Sequence, residues 1–347
     1  MKNMKFSESI NLALDSALKE NKKLICFGLG INDPGRFFNT TKNLYEKYGK
    51  DRVFETPTSE NAMTGMGIGL AINGYPCVMM HQRLDFFLLA MDQLVNNAAK
   101  WHFMFGGKKS VPITIRLIIG KGWGQGPTHS QSLQSWFAHI PGLKVVMPSL
   151  PSNAYSLLIE SIKDPNPVIF LEHRWLHDVE EKSVNIKKSL IGKAELISKG
   201  KDLTIITYSL STIEIMNLKV LINKNNISYD HIDLLSIKPL DFKKIKKSIL
   251  KTKKVFILDS ISNPICSIGS EILSLISLDN DIKLSKKPVL LSLPDISSPT
   301  SFDYTKKYYI SDKKILNAIS LISGKKIIKN KKSGLHDIPN ENFKGPF

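Results

Sequence analysis

The sequence predicts an α/β protein of two α/β domains, each built on a largely parallel sheet. Three observations carry that prediction. Short apolar runs alternate with amphipathic helical stretches, the pattern of a sheet covered on both faces. The run at 111–119 is mostly apolar and β-branched, as a largely buried strand should be. The alternation lapses once, at 179–201, where charge replaces periodicity, and then resumes. A length of 347 residues suits two domains, at roughly 150 residues per domain.

The elements follow in order. An amphipathic helix is expected over 7–20, then a strand at 24–28 and a helix near 41–48. A short strand at 52–55 leads into a helix that begins at Glu60. Strands at 76–80 and 111–119 flank a helix over 86–101. A strand at 144–147, a helix at 153–162 and a strand at 168–172 complete a first domain, 1–178. A linker is expected over 179–201. The second domain, 202–323, alternates strands at 203–209, 229–235, 255–259 and 289–293 with helices at 212–224, 241–250 and 270–277. Residues 324–347 read as a basic, flexible tail.

Composition narrows the function. Hydrophobic content of 42% and charged content of 23% are ordinary for a globular protein. No apolar run reaches the roughly 20 residues of a membrane helix. The first residues lack an apolar signal core, so the chain reads as mature protein. Cys26, Cys77 and Cys266 form no metal pattern and suggest a reducing, cytoplasmic setting. The net charge of +17 lies in scattered lysines, denser at 243–254 and 325–332. At 243–254 the lysines interleave with Ile and Leu, as on the wet face of a helix. No nucleic-acid fingerprint accompanies them, so neither a nucleic acid nor a membrane is expected as partner.

Two stretches can carry chemistry. In ETPTSENAMTGMGIGLAING (55–74), Ser59 is an N-cap candidate and Glu60 sits in the first helical turn. The helix dipole favours its ionised form and apolar burial opposes it. Such a carboxylate can share a proton with a basic ring nitrogen, although dipole complementation alone would also explain it. Gly65, Gly67 and Gly69 have the wrong spacing for a dinucleotide loop. They weaken the helix and therefore predict close packing. The second stretch, GKGWGQGPTHSQ (120–131), follows the buried strand at 111–119, and strand-end loops of such sheets hold ligands. His129 lies there between hydroxyl groups. His81, Gln82, Arg83, Asp85 and Phe86 occupy the end of another strand.

TPTSENAMTGMGIGLAINGYPCVMM, FFLLAMDQLVNNAAK, GGKKSVPITIR, THSQSLQSWFAHIPGLKVVMPS, IKDPNPVIFLEHR and IGKAELISKGKDLTIITYS resemble one family in order and spacing. It is the beta subunit of the thiamine-diphosphate-dependent component of 2-oxoacid dehydrogenases, the pattern shared by pyruvate, branched-chain and acetoin dehydrogenases. The resemblance spans residues 4–320 and is strongest over 52–175. It implies a pyrimidine-binding, transketolase-like domain followed by a transketolase C-terminal-type domain.

It also implies a function. In this family the beta subunit binds the aminopyrimidine half of thiamine diphosphate. An alpha subunit holds the diphosphate and Mg²⁺ through a GDG motif, which this sequence lacks. The expected assembly is an alpha2beta2 heterotetramer, with a lipoyl acyltransferase as a further candidate partner. Glu60 matches the glutamate that hydrogen-bonds the pyrimidine, and Phe86 the aromatic beside it. Thr58 would flank the ring through its backbone, and Gln82 follows the family pattern near it. His129 matches a histidine that guides acyl transfer. Ile113, Ser161, Ile162, Asp164 and Asn166 match a loop that holds a structural potassium ion in some members.

Arg83 departs from the pattern, which usually has an aromatic there. Its planar cation suits a carboxylate or phosphate. One reading is a substrate or acceptor with a second anionic group, met by Arg83 and His129. The other is a pair with Asp85 or with an acid of the alpha subunit. Asp259 and the Ser267–Ser270 run are further departures. Two other functions stay open on the sequence: a non-oxidative, transketolase-like carboligase subunit, and a catalytically silent scaffold.

Overall fold

The computed structural model describes residues 3–122, 124–182, 186 and 188–327. Strand β1 (Met4–Lys5) leads into helix α1 (Phe6–Glu20), and β2 (Ile25–Gly28), α2 (Leu44–Tyr48), β3 (Val53–Glu55), α3 (Glu60–Ile72) and β4 (Cys77–His81) follow. Next come α4 (Leu84–Phe87), α5 (Ala99–Met104), β5 (Ile113–Ile119), α6 (Gln134–His139), β6 (Lys144–Val146), α7 (Pro151–Lys163) and β7 (Val168–His173). Six of these strands run parallel in one sheet, spatially β6-β7-β5-β4-β2-β3. All seven residues of the central β5 are buried, as its β-branched run predicts.

The second sheet is built from β8 to β14, less two strands that serve elsewhere. β8 (Glu180–Glu181) pairs with β1. β9 (Glu195–Ser198), β10 (Leu203–Thr207), β11 (Tyr229–Asp233), β13 (Val255–Asp259) and β14 (Val289–Ser292) form a five-stranded sheet, with only β9 antiparallel. β12 (Ser236–Lys238) leaves that sheet and pairs antiparallel with β6. The second half of the chain therefore adds an edge strand to the first sheet. Lys238 fastens it, donating to the carbonyls of Ala138 (2.6 Å) and Ile140 (2.8 Å). Helices α8 (Leu210–Lys224), α9 (Phe242–Thr252), α10 (Ile268–Leu278), α11 (Phe302–Tyr308) and α12 (Asp312–Ser323) complete the chain.

Three differences from the sequence expectations have physical reasons. The helix expected over 86–101 is a longer helical stretch that is not one regular helix. It tightens at Leu88–Ala90 and widens to a π-type turn at Gln93–Ala98, which brings Leu94 and Ala98 into the core. The stretch expected as linker contains β8 and β9, two- and four-residue strands too short to show a period. The glycines of α3 do not act alike. A Cβ at Gly67 would lie 2.9 Å from both Phe27 and Ile113, so Gly67 lets α3 settle on its own sheet. Nothing lies within 4 Å of a Cβ at Gly69.

The lysines of 243–254 behave as expected of a solvated face. α9 buries Ile245, Ser248, Ile249 and Thr252 and turns its lysines outward, where Lys246 reaches Asp279 and Asp281. Among the described residues no helix is long and apolar enough to cross a membrane. Most of the expected tail, 328–347, lies outside the described residues.

Candidate active site

The carboxyl ends of β2, β3, β4 and β5 point to one side of the first sheet, where ligands of open α/β sheets bind. Gly28 closes β2. A Cβ there would stand 2.2 Å from the carbonyl oxygen of Met80, so only glycine allows the strand ends to meet. Beyond it, Glu55 at the end of β3 accepts hydrogen bonds from the amides of Gly30 (2.7 Å) and Asn32 (3.1 Å). That pairing fixes the path of the 29–32 loop.

Glu60 begins α3, with Ser59 at the N-cap position. The Ser59 side chain makes no capping bond. The Glu60 side chain is buried, 5% exposed, and among the described residues its carboxylate makes no hydrogen bond or ion pair. Buried polar groups in folded proteins are normally satisfied. Glu60 is a largely buried residue whose carboxylate is left free of protein partners, with capacity for a ligand. The backbone of Thr58 lies two residues before it, in an exposed segment.

A second group forms around the 120–131 loop. The Phe86 and His129 rings meet edge to face at 5.3 Å, and Phe86 is 42% exposed. The Thr128 hydroxyl lies 2.9 Å from His129 Nδ1. Asp85 accepts from the Gln131 amide (3.2 Å) and side chain (2.9 Å). Burial pushes the Asp85 carboxyl above its usual range, against those bonds. Arg83 does not pair with Asp85 by hydrogen bond. It donates to Gln125 Oε1 at 3.0 Å and to the carbonyl of His129 at 3.3 Å.

The second half of the chain holds this loop at its root. The amide of Gly122 donates to the Tyr309 hydroxyl at 3.0 Å, and Lys121 pairs with Glu214 at 3.2 Å. Gly126 has φ +69, and a Cβ there would meet the Thr300 methyl at 2.6 Å. The loop glycines thus serve close approach between the two halves. Gln134 extends the connection, donating to the Tyr208 hydroxyl, which donates to Asp259.

Other candidates are placed apart. Gln82 donates to Asp33 at 2.6 Å. His81 is buried against Phe87, and burial lowers its pKa to about 3, so it is a neutral core residue. Among the described residues no hydrogen bond or ring contact links Glu60 to Phe86 or His129. Ile113, Ser161, Ile162, Asp164 and Asn166 gather at the end of α7 and the start of β5. Asp164 binds Lys144 with one oxygen and accepts from the Asn166 amide at 2.9 Å with the other. The side-chain oxygen of Asn166 is buried without a partner.

The sequence reading missed Arg174, Gln125 and Glu55. Arg174 follows β7 and is 4% exposed; it donates to Gln125 Oε1 and to the Lys121 carbonyl. Its signal was an arginine directly after a buried strand end. The departures at Asp259 and Ser267–Ser270 have local explanations. Asp259 is buried and accepts from Tyr208 (2.6 Å) and Ser262 (2.7 Å), and Ser267 caps α10 by accepting from the Ser270 amide.

Comparison with known proteins places the chain among its relatives. The profile "Transketolase, pyrimidine binding domain" matches residues 2–178, and "Transketolase, C-terminal domain" matches 192–315. The chain is 36% identical over 317 residues to the pyruvate dehydrogenase E1 component subunit beta of Gracilaria tenuistipitata var. liui, covering 91% of this chain and 98% of that protein. It is 35% identical over 275 residues to the acetoin:2,6-dichlorophenolindophenol oxidoreductase subunit beta of Cupriavidus necator, covering 76% and 81%. A solved split-gene transketolase, described as an inactive beta4 tetramer, shares the fold with a TM-score of 0.75 at 17% identity, covering 92% of this chain and 98% of its own. With two matching domains in order and identity sustained along nearly the whole chain, this protein belongs to the family of E1 beta subunits of 2-oxoacid dehydrogenases.

Proposed function

We propose that the chain is the pyrimidine-side half of a two-chain, thiamine-diphosphate-dependent enzyme that decarboxylates a 2-oxoacid and passes on the acyl group. One observation carries the reading: Glu60, a buried carboxylate without a partner at the head of α3. That is the group an aminopyrimidine nitrogen requires, so the residues present fit the cofactor. When bound, the cofactor supplies a thiazolium that takes up the electrons left by departing carbon dioxide.

The protein's own contribution is positioning and one proton. Glu60 holds a proton against the pyrimidine nitrogen, with the backbone at Thr58 beside the ring and Gln82 near it. Phe86 offers its half-exposed ring as a packing face. His129, set against Phe86, stands ready to donate to or accept from an acyl acceptor.

The diphosphate and Mg²⁺ fall to an alpha subunit in an alpha2beta2 assembly. An apolar face supports such a partner: Met66 and Ile72 on α3, Leu89 in the adjoining helical stretch, and Phe103 and Met104 on α5 are all exposed. A potassium ion suits the buried, unpartnered Asn166 oxygen, with Lys144 already on Asp164. A lipoyl acyltransferase would be the acceptor partner. Three free thiols, two of them buried, suit a cytoplasmic setting.

The test is co-expression with an alpha-type chain. Cofactor binding by calorimetry and 2-oxoacid decarboxylation should both require the two chains together. A pair that binds the cofactor equally well without this chain would overturn the assignment.

A further inference from the structure

His129 is held from three sides and left with one ring nitrogen to offer. Its placing begins in the sequence. Gly126-Pro127-Thr128-His129 is a four-residue turn with proline at the second position, where its fixed φ already suits the turn. The His129 amide closes that turn on the Gly126 carbonyl at 3.5 Å, and the His129 carbonyl accepts from Arg83 at 3.3 Å. The backbone is therefore tied through both its amide and its carbonyl. The ring meets Phe86 edge to face, with the planes 89° apart. The Thr128 hydroxyl lies 2.9 Å from Nδ1, and among the described residues Nε2 makes no hydrogen bond.

A neutral imidazole carries one proton, and the bond made by one nitrogen decides which of the two holds it. A hydroxyl brings one hydrogen and two lone pairs. Among the described residues, His129 Nδ1 is the only hydrogen-bond partner of the Thr128 hydroxyl. Donation to that lone pair puts the ring proton on Nε2, the free end. The reverse arrangement would leave Nε2 a bare acceptor and the hydroxyl hydrogen without a protein acceptor. The bond costs little order to hold. The two residues are consecutive on a tied backbone, and a β-branched threonine has few χ1 positions to lose.

We propose that Thr128 is a positioning residue: its hydroxyl donates to Nδ1 and sets His129 as a hydrogen-bond donor from Nε2 toward the acyl acceptor. The proposal rests on the decarboxylase reading and sharpens one part of it, since the ring could otherwise serve as donor or acceptor alike. Thr128 acts only through that ring. It is an exposed residue, so water competes for the bond and the expected effect is modest.

Two readouts test it. The first is nuclear magnetic resonance of the full chain, isotopically labelled at the histidine ring nitrogens, at about pH 8.5, roughly two units above the ordinary histidine value. The signals lost in His129→Gln identify the ring. The wild-type ring should carry its proton on Nε2. Thr128→Val keeps the shape, removes the hydroxyl and should give a mixture of both tautomers, and Thr128→Ser should restore the wild-type pattern. The second readout is acyl transfer to added lipoamide by the pair formed with an alpha-type chain. Thr128→Val should lower kcat roughly 3- to 10-fold at unchanged KM for the 2-oxoacid, the worth of one hydrogen bond, and Thr128→Ser should recover most of it. A wild-type ring protonated at Nδ1, unchanged ring signals in Thr128→Val, or an unchanged kcat in an active pair overturns the assignment. A pair that decarboxylates no 2-oxoacid while the tautomer shift appears as expected would leave Thr128 in its role and sink the decarboxylase reading.

Discussion

Two acids, one beside each sheet, are treated in opposite ways. Beside the first sheet, Glu60 is buried with no partner, and two arginines share the neutral tip of Gln125. At the end of β13 in the second sheet, Asp259 is fully buried and doubly satisfied by Tyr208 and Ser262. Burial alone does not explain the difference, because both residues are largely buried. Satisfaction does. A buried carboxylate given two hydroxyl donors is part of the scaffold, and one given none is a site kept for something else.

The largest test of that contrast is Glu60→Gln. With the alpha partner present, turnover should fall by about 10²- to 10⁴-fold, the usual weight of a positioned proton donor. The melting temperature should hold or rise, since no native bond is lost. Activity close to wild type would break the comparison at its strongest point.

Asp233 lies between the two extremes. It ends β11 fully buried, takes a hydrogen bond from Ser149 on one oxygen and leaves the other unpartnered. Burial pushes its carboxyl up to about 7, from 3.8 in an open chain, against that bond. The folded state therefore keeps the proton over a range where the unfolded chain has lost it. Stability falls as pH rises from about 4 to about 7 and then levels. Asp233→Asn should remove that slope and gain up to ~4 kcal/mol at pH 8 relative to wild type. Denaturant midpoints at pH 4 and pH 8 check it, and parallel curves for the two proteins would reject the assignment.

Tyr208→Phe probes the satisfied side. The hydroxyl bridges Gln134 in the first half to Asp259 in the second. Its loss takes one bond from each, leaving Asp259 with Ser262 alone, and should cost about 1–3 kcal/mol, with turnover per folded molecule retained. A large loss of turnover at unchanged stability would move the Tyr208 bridge into the site.

How far these features were legible follows from their range in sequence. β5 was plain, because the run at 111–119 is mostly apolar and β-branched. α3 and Glu60 were visible as a helix start, and the role of Glu60 came from family resemblance rather than from spacing. β12 was invisible: three residues cannot show a period, and the partner strand lies about 90 residues earlier. The Arg83–Gln125–Arg174 convergence was invisible for the same reason, since three strand-end loops meet only after the sheet orders β4, β5 and β7 side by side. Of the three, only Arg83 stood out as a departure, and Asp85, one of its candidate partners, hydrogen-bonds Gln131. The buried Arg116–Glu172 pair across β5 and β7 escaped notice because each residue interrupts an apolar run that reads correctly without it.

The smallest effects fall on α3, whose glycines divide along the same line between scaffold and site. Gly67 is filled from within: an added methyl meets Phe27 and Ile113 at 2.9 Å. Gly67→Ala should overpack the core and cost about 1–3 kcal/mol in the chain by itself. Gly69 meets nothing, so Gly69→Ala should stabilise the separate chain by up to ~1 kcal/mol through helix propensity. The two variants diverge further in the assembled enzyme. Met66 and Ile72 expose apolar surface on the same helix, which suits close approach of another subunit where Gly69 leaves room. Gly69→Ala should then raise the melting temperature of the lone chain and loosen the complex, measured by sedimentation at falling concentration. If both the chain and the complex become more stable, the open side of α3 is not an interface, and the partner must dock through α5 and Leu89 instead.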